Sequence, residues 1–238
     1  RSTLFPYTTL FRSPYSIKPL YVAERADGLD FASELKVLLS LPELQRDLDP
    51  LALATFFTLG FIPPPETAFA RVRELPPGHW MVVRPGKRPE TAPFWSLRFE
   101  PEEQRSEAEW LGLLDEAVAD AVRSHLVADV PLATFLSGGL DSSAVLAYMA
   151  REMKEPPRAF TIRYQGSGAE AADESELAAE VARHYGAQHT IIDVSPQVGD
   201  VLDDIVGAFD QPMADASSIP TYYLTRAVAQ EEIGRAHV

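Results

Sequence analysis

The chain has 238 residues, 46% of them hydrophobic, enough apolar material for one or two buried cores. Its formal net charge of −14 argues against nucleic acid and anionic membranes as partners, and no apolar run is long enough to span a bilayer or to read as a secretory signal. It contains no cysteine, which excludes disulfides, thiolate metal sites and a cysteine nucleophile within it, and its five scattered histidines show no ligand spacing.

From Tyr15 to Leu97 the pattern predicts strands and turns. Ile17–Ala23 and Gly28–Ser33 read as strands joined by a short turn. Asp49-Pro50 supplies an N-cap and a first-turn proline for a helix through Phe57 that stops at Gly60. Prolines from Pro63 to Pro93 then cut the chain into short segments such as Trp80–Val83. Residues 100–105 are polar and mark a junction. Ser106 with Glu109 forms a capping box. Trp110, Leu113, Leu114, Ala117, Val118, Ala121 and Val122 follow at helical spacing, a stripe expected to lie in the core.

The apolar run Val130–Leu136 leads into Ser137-Gly138-Gly139-Leu140-Asp141-Ser142-Ser143, and Ala144–Ala150 follows. A buried strand thus turns through glycine and serine into a helix. Glycine lets the backbone turn sharply and approach a ligand closely. The free amides of the helix's first turn, with the positive end of the dipole behind them, suit a phosphate or pyrophosphate. A bare Ser-Gly-Gly fits an ordinary connection equally well; the whole heptad at a strand–helix junction favours the phosphate. It is neither a Walker loop nor a dinucleotide fingerprint.

Beyond the heptad the pattern alternates. Ala159–Ile162 is a strand, Asp173 and Glu176 cap a helix running to Gly186, and His189–Val194 is the next strand. Ser195-Pro196 starts a helix with Val198, Val201, Leu202, Ile205, Val206 and Phe209 on one face, and Pro220 begins a last helix through Leu224 and Val228. Such alternation predicts an α/β fold whose parallel sheet is covered on both sides and takes ligands at the strands' carboxyl ends.

The heptad resembles the PP-loop of the ATP pyrophosphatases, the adenine nucleotide alpha hydrolase-like group. The likeness extends further, to the glutamine-hydrolysing asparagine synthetase family. It is carried by Asp129–Leu136, Asp173-Glu174-Ser175 and Asp210–Tyr222, and earlier by Ile17–Tyr21, Ala32–Lys36 and Leu75–His79. The earlier segments resemble the β-rich end of that family's N-terminal-nucleophile glutaminase domain. The resemblance implies adenylation of the aspartate side-chain carboxylate by ATP with Mg²⁺, then amidation by glutamine-derived ammonia to give asparagine, AMP and pyrophosphate. Residue by residue, it implies that Ser137, Gly138, Gly139, Asp141, Ser142 and Ser143 hold the pyrophosphate and that Leu136 and Ile162 contact adenosine. Asp141 either helps place Mg²⁺ or caps the helix. Cytoplasmic location and a homodimer of the longer protein are further implications.

Other assignments stay structural by default: Asp173 as a helix cap, His189 as a satisfied strand histidine, Ser33 and Glu34 as parts of the glutaminase fold or an interdomain contact. Asp210 and Asp215 flank a loop near the expected site and are either ligands or loop residues. Ser16 stands where many relatives have glycine, Gln211 replaces a frequent glutamate, and Met213 a frequent aromatic residue. The family's nucleophilic cysteine and a second nucleotide segment, Ser-Gly-x-Gly-x-Asp-Glu, have no counterpart in the chain. No catalytic residue is therefore assigned, and the chain alone is expected neither to hydrolyse glutamine nor to make asparagine.

Thr3–Ser13 and Glu232–Val238 resemble translated frames of the two adapters used in short-read sequencing. The expected organisation is thus a non-native segment at 1–13, the glutaminase part at 14–100, the synthetase part at 101–231 and a non-native tail at 232–238. Competing readings keep the loop but change the acceptor, to another carboxylate or a β-lactam-forming substrate, or leave a non-catalytic nucleotide binder. GMP and NAD synthetases share the heptad without the segments between Ile17 and His79.

Overall fold

The computed structural model describes residues 8–25, 28–101, 104–165, 173–195, 198–230 and 235–237. They group into two units, Arg1–Glu100 with Asp203–Asp215, and Pro101–Leu202 with Ala216–Val238. Division of the chain at residue 100 alone does not anticipate the place of Asp203–Asp215.

In the first unit, β1 (Thr8–Phe11) leads to β2 (Tyr21–Arg25), β3 (Gly28–Ala32), α1 (Leu35–Leu39), α2 (Pro50–Leu59), β4 (Arg73–Glu74), β5 (His79–Val83) and β6 (Glu90–Pro93). Two antiparallel sheets result, ordered β1-β5-β6 and β3-β2-β4. Alternation along β2 accounts for the packing. Tyr21 and Ala23 meet Leu35 and Leu38 of α1, while Val22 joins Leu10, Leu75 and Met81. Helix α2 has the predicted ends: Asp49 Oδ1 accepts from the amides of Leu51 and Ala52, and Gly60 closes it. Arg12 is buried in an ion pair with Glu74 and also donates to the Leu75 carbonyl. Burial pushes the Glu74 carboxyl up despite the opposing pull of Arg12.

The strand expected from Ile17 begins at Tyr21, as β2. Pro19 has no amide to give a ladder, and Ser16 just before it turns the chain at φ 58°. That left-handed conformation costs a residue with a Cβ about 1–2 kcal/mol, and the buried Ser16 Oγ has no hydrogen-bond partner among the described residues. Ser16→Gly is therefore expected to stabilise the first unit by about 1 kcal/mol. The check is a higher urea midpoint at unchanged slope.

The second unit contains α3 (Glu107–His125), β7 (Leu132–Phe135), α4 (Leu140–Glu152), β8 (Arg158–Tyr164), α5 (Ser175–His184) and β9 (Gln188–Val194). Helix α6 (Val198–Ala208) begins in it, and α7 (Ser218–Gln230) and β10 (Arg235–His237) complete it. The strands form a parallel sheet in the order β10-β7-β8-β9. Both faces are covered, as expected of parallel strands. Ala133, Phe135 and Phe160 pack with Leu224 and Val228 of α7, while Leu136 and Ala159 pack with Leu146 of α4 and with Ala178 and Ala182 of α5.

The capping box at Ser106 and Glu109 is present, but the stripe behind it is not core. Trp110, Leu113 and Leu114 are 46%, 40% and 60% exposed, and Ala119 is the buried residue of α3. The reason lies in how α3 meets α4. Tyr148 donates to Asp115, and Arg123 pairs with Glu152. These polar bridges orient α3 so that Val118 and Val122 only line a hollow of about 400 Å³ with Val145 and Met149. Along α6, Val201 and Ile205 are buried whereas Leu202 and Val206 are exposed, as is Phe209 just past its end.

Of the two terminal segments marked in the sequence, Thr3–Tyr7, Glu232–Gly234 and Val238 lie outside the described residues, as does Pro196. Thr8–Phe11 pairs with β5, and Arg235–His237 pairs with β7. No helix among the described residues is long and apolar enough to cross a membrane.

Candidate functional site

Strand β7 ends at Phe135, and its amide ladder hands over to the loop through Leu136, whose N–H donates to the Phe160 carbonyl (2.8 Å). Leu136 is 2% exposed, its side chain in the core on the α4–α5 side of the sheet. Gly138 then takes φ 80°. A Cβ there would lie 3.1 Å from the Ala178 amide nitrogen and 3.2 Å from Leu177, so the loop is tucked against the start of α5. Gly139 is the N-cap of α4 and brings no side chain to cap it.

The consequence is an open helix end. The amides of Leu140, Asp141 and Ser142 have no carbonyl four residues back within the helix to receive them. The Ser143 amide makes the first such bond, to the Gly139 carbonyl (3.0 Å). Meanwhile the loop holds its own shape. Ser137 N–H donates to Ser142 Oγ (3.2 Å), Gly139 N–H to Ser137 Oγ (3.2 Å), and the two hydroxyl oxygens lie 3.0 Å apart. Ser137 and Asp141 are exposed, while Gly138, Gly139, Ser142 and Ser143 are half-buried, so the loop opens at the sheet's carboxyl edge. Ser143 Oγ is buried with no hydrogen-bond partner among the described residues. The arrangement suits an anion: oriented N–H donors, small hydroxyls and the dipole's positive end.

The structure thus brings Ser137, Gly138, Gly139, Asp141, Ser142 and Ser143 together in one turn. Ile162 sits apart from Leu136, half-buried on the α7 side of the sheet with Phe135 and Ile192. Asp210 is held in the first unit, where it accepts from the Lys36 amide. Asp173 accepts from the amide of Ser175 (2.9 Å), the first residue of α5, whose N-cap residue Glu174 makes no side-chain capping bond. Hydrogen bonds from Ser175, ahead of the nearby Arg163 charge, hold the Asp173 carboxyl below the usual range.

One anchoring chain was not visible in the sequence. Thr161 Oγ1 donates to the Leu136 carbonyl (2.6 Å) and lies 2.7 Å from His189 Nε2. A hydroxyl has one proton, so with that proton on Leu136 the imidazole must donate through Nε2–H. This anchoring depends on the register of β8 against β9, which no spacing within one strand encodes. Beside it Arg163 and Asp193 form a two-pronged pair, 2.6 and 2.9 Å, that holds the Asp193 carboxyl low.

Burial pushes the His189 imidazole below its ordinary 6.5. The unfolded chain then binds the proton more readily than the fold, so stability is full above about pH 6.5 and falls as pH drops through the lowered folded value. Urea unfolding from pH 7.5 to 5 is expected to show this loss, and His189→Gln, which keeps a side-chain N–H donor, to flatten it.

The family described as Asparagine synthase matches residues 113–235, and that described as Glutamine amidotransferase domain matches residues 6–95. An asparagine synthetase [glutamine-hydrolyzing] 1 of Bacillus subtilis (strain 168) is 32% identical over 216 residues, 90% of this chain and 33% of its own. Asparagine synthetase [glutamine-hydrolyzing] 3 of the same strain is 29% identical over 228 residues, 87% of this chain and 36% of its own. Amidase chry2 of Gibberella zeae is 29% identical over 244 residues, 93% of this chain and 35% of its own. The chain spans about a third of the length of these relatives. The open α/β loop and the matched span converge: this chain belongs to the asparagine synthase family.

Proposed function

We propose that Ser137–Ser143 grips the pyrophosphate portion of ATP in a carbon–nitrogen ligase that takes its amide nitrogen from glutamine. The observation that carries this is the uncapped start of α4, with three open amides at the carboxyl edge of a parallel strand. The whole protein's substrates are, in this reading, ATP, aspartate and glutamine, and its products include asparagine. In the first step an oxygen of the aspartate side-chain carboxylate attacks the α-phosphorus, and the bond to the β-phosphate oxygen breaks. Pyrophosphate leaves with the electron pair, and the negative charge it gains is met by the amides of Leu140, Asp141 and Ser142 and the hydroxyls of Ser137 and Ser142. Ammonia's nitrogen then attacks the acyl carbon, AMP departs, and the nitrogen loses a proton.

In this reading Ile162 supports the adenosine part, while Leu136, its side chain in the core and its N–H and carbonyl both engaged, anchors the root of the loop. Mg²⁺ fits the loop in a limited way. Among the described residues no cluster of three acidic or histidine groups exists, so the ion would rest on phosphate oxygens, water and the exposed Asp141 carboxylate. It would supply charge neutralisation to the leaving pyrophosphate. A homodimer and a cytoplasmic location belong to the same reading.

Similarity to a protein named as an amidase favours a second reading in which the acceptor differs while the loop's task is unchanged. Calorimetric titration of the chain with ATP and Mg²⁺ tests the shared part. Binding that inorganic pyrophosphate displaces supports it, and absence of binding contradicts it. Exchange of labelled pyrophosphate into ATP by a longer protein carrying this sequence, dependent on aspartate, then decides the acceptor.

A further inference from the structure

Thr161 stands where a strand covered on both faces has no need of a hydroxyl. It is 3% exposed, between Phe160 and Ile162 on β8, and valine would fill much the same space with no polar atom to satisfy. Its partner explains the choice. The ladder between β7 and β8 ends with Phe135 opposite Phe160. One residue further on, the Leu136 amide still donates to the Phe160 carbonyl (2.8 Å), but the Leu136 carbonyl is taken by a side chain, the Thr161 hydroxyl, at 2.6 Å. That hydroxyl closes the sheet at the point where the chain leaves it for the Ser137 loop.

The same peptide group is held from its other end. The Ser137 amide shares a rigid plane with the Leu136 carbonyl, and it donates to Ser142 Oγ (3.2 Å) in the first turn of α4. Carbonyl and amide of a trans peptide point in opposite directions, so bonds at both ends fix its rotation about the chain. Order then passes along the loop. Ser142 Oγ donates to the Gly139 carbonyl (3.2 Å), and the Gly139 amide donates to Ser137 Oγ (3.2 Å). Behind Thr161, His189 Nε2 lies 2.7 Å from the hydroxyl and directs its proton toward Leu136. We propose that Thr161 is a positioning residue for the loop: through the Leu136–Ser137 peptide plane it sets where the Ser142 hydroxyl and the first amides of α4 stand. It acts through that peptide, and every link of the relay lies within the parallel-sheet unit. For its purpose the proposal rests on the ligase reading, which gives those groups a pyrophosphate to hold.

Thr161→Val and Thr161→Ser in the whole chain test it, with inorganic pyrophosphate as the probe. Without ligand, Thr161→Val should speed hydrogen exchange of the Ser137 and Gly139 amides about tenfold and move the Ser142 amide resonance. It should also weaken pyrophosphate binding about tenfold by titration calorimetry. Thr161→Ser keeps the hydroxyl and should return both readouts close to wild type. A role in packing alone predicts the reverse order, since valine keeps the volume and serine gives up a methyl. That reverse order, or unchanged exchange in Thr161→Val, overturns the relay. Faster exchange with unchanged pyrophosphate affinity overturns its part in binding. Should Thr161→Val fail to fold, His189→Leu, which removes the group directing the hydroxyl, takes its place with the same expected changes and the same two contradictions. A wild-type chain that binds no pyrophosphate removes the ligase reading and leaves the ligand-free exchange to decide the positioning.

Discussion

Gly138→Asp should abolish ATP binding by this chain, weakening it at least about a hundredfold, or roughly 2.7 kcal/mol. Three effects act in one direction. At φ 80° a side chain strains the backbone by about 1–2 kcal/mol. The new Cβ would meet the Ala178 amide nitrogen at 3.1 Å and Leu177 at 3.2 Å, so α5 has to yield. Finally, a carboxylate would stand beside open amides that the account reserves for an anion, in a protein already at −14. Gly138→Ala separates these effects, since it keeps the strain and the crowding but adds no charge. It should lower thermal stability while losing less ATP affinity than the aspartate. Titration calorimetry with ATP and Mg²⁺, paired with thermal melts of each variant, reads both quantities. Equal affinity in wild type and Gly138→Asp would place the nucleotide elsewhere.

Phe160→Ala should cost the second unit about 3–5 kcal/mol, a large part of the ~5–15 kcal/mol that holds a domain folded. Phe160 is 1% exposed and packs between Ala133, Phe135, Leu224 and Val228, so truncation leaves a cavity lined by strands and α7 together. Its carbonyl also receives the Leu136 amide at the root of the loop. The expected result is a lower midpoint for the unfolding step of the parallel-sheet unit in urea. Phe31→Ala provides the contrast. Phe31 lies on an antiparallel strand of the first unit at 47% exposure, and its loss should change stability by about 0.5 kcal/mol or less. Comparable losses from the two would contradict the placement of the core.

Local chemistry made much of this fold legible in the sequence. Asp49-Pro50 and Gly60 delimit α2, Ser106 with Glu109 opens α3, and the alternation after Ser137 yields β8, α5 and β9 close to the expected residues. The turn from Ser137 to Ser143 was legible for the same reason, because its geometry is written in consecutive residues. What failed to show depends on partners far away in the chain. The α3 stripe has helical spacing, yet spacing cannot say which neighbour covers it, and polar bridges to Tyr148 and Glu152 turn it outward. The Leu136–Thr161–His189 chain depends on strand register. The bond from the Lys36 amide to Asp210 joins residues far apart in the chain, and no local pattern announces it. Ser16 was marked by its departure from glycine, and its left-handed backbone gives that mark a physical meaning.

Three backbone N–H groups at the uncapped start of α4 carry the proposed grip on pyrophosphate, and amide spectroscopy addresses them directly. In a ¹⁵N–¹H spectrum of the chain titrated with inorganic pyrophosphate and then ATP, the resonances of Leu140, Asp141 and Ser142 should move most, followed by Gly138 and Gly139. Adenosine alone should leave those five in place. Pyrophosphate shifts centred anywhere other than the start of α4, or none at all at saturating ligand, would contradict the account.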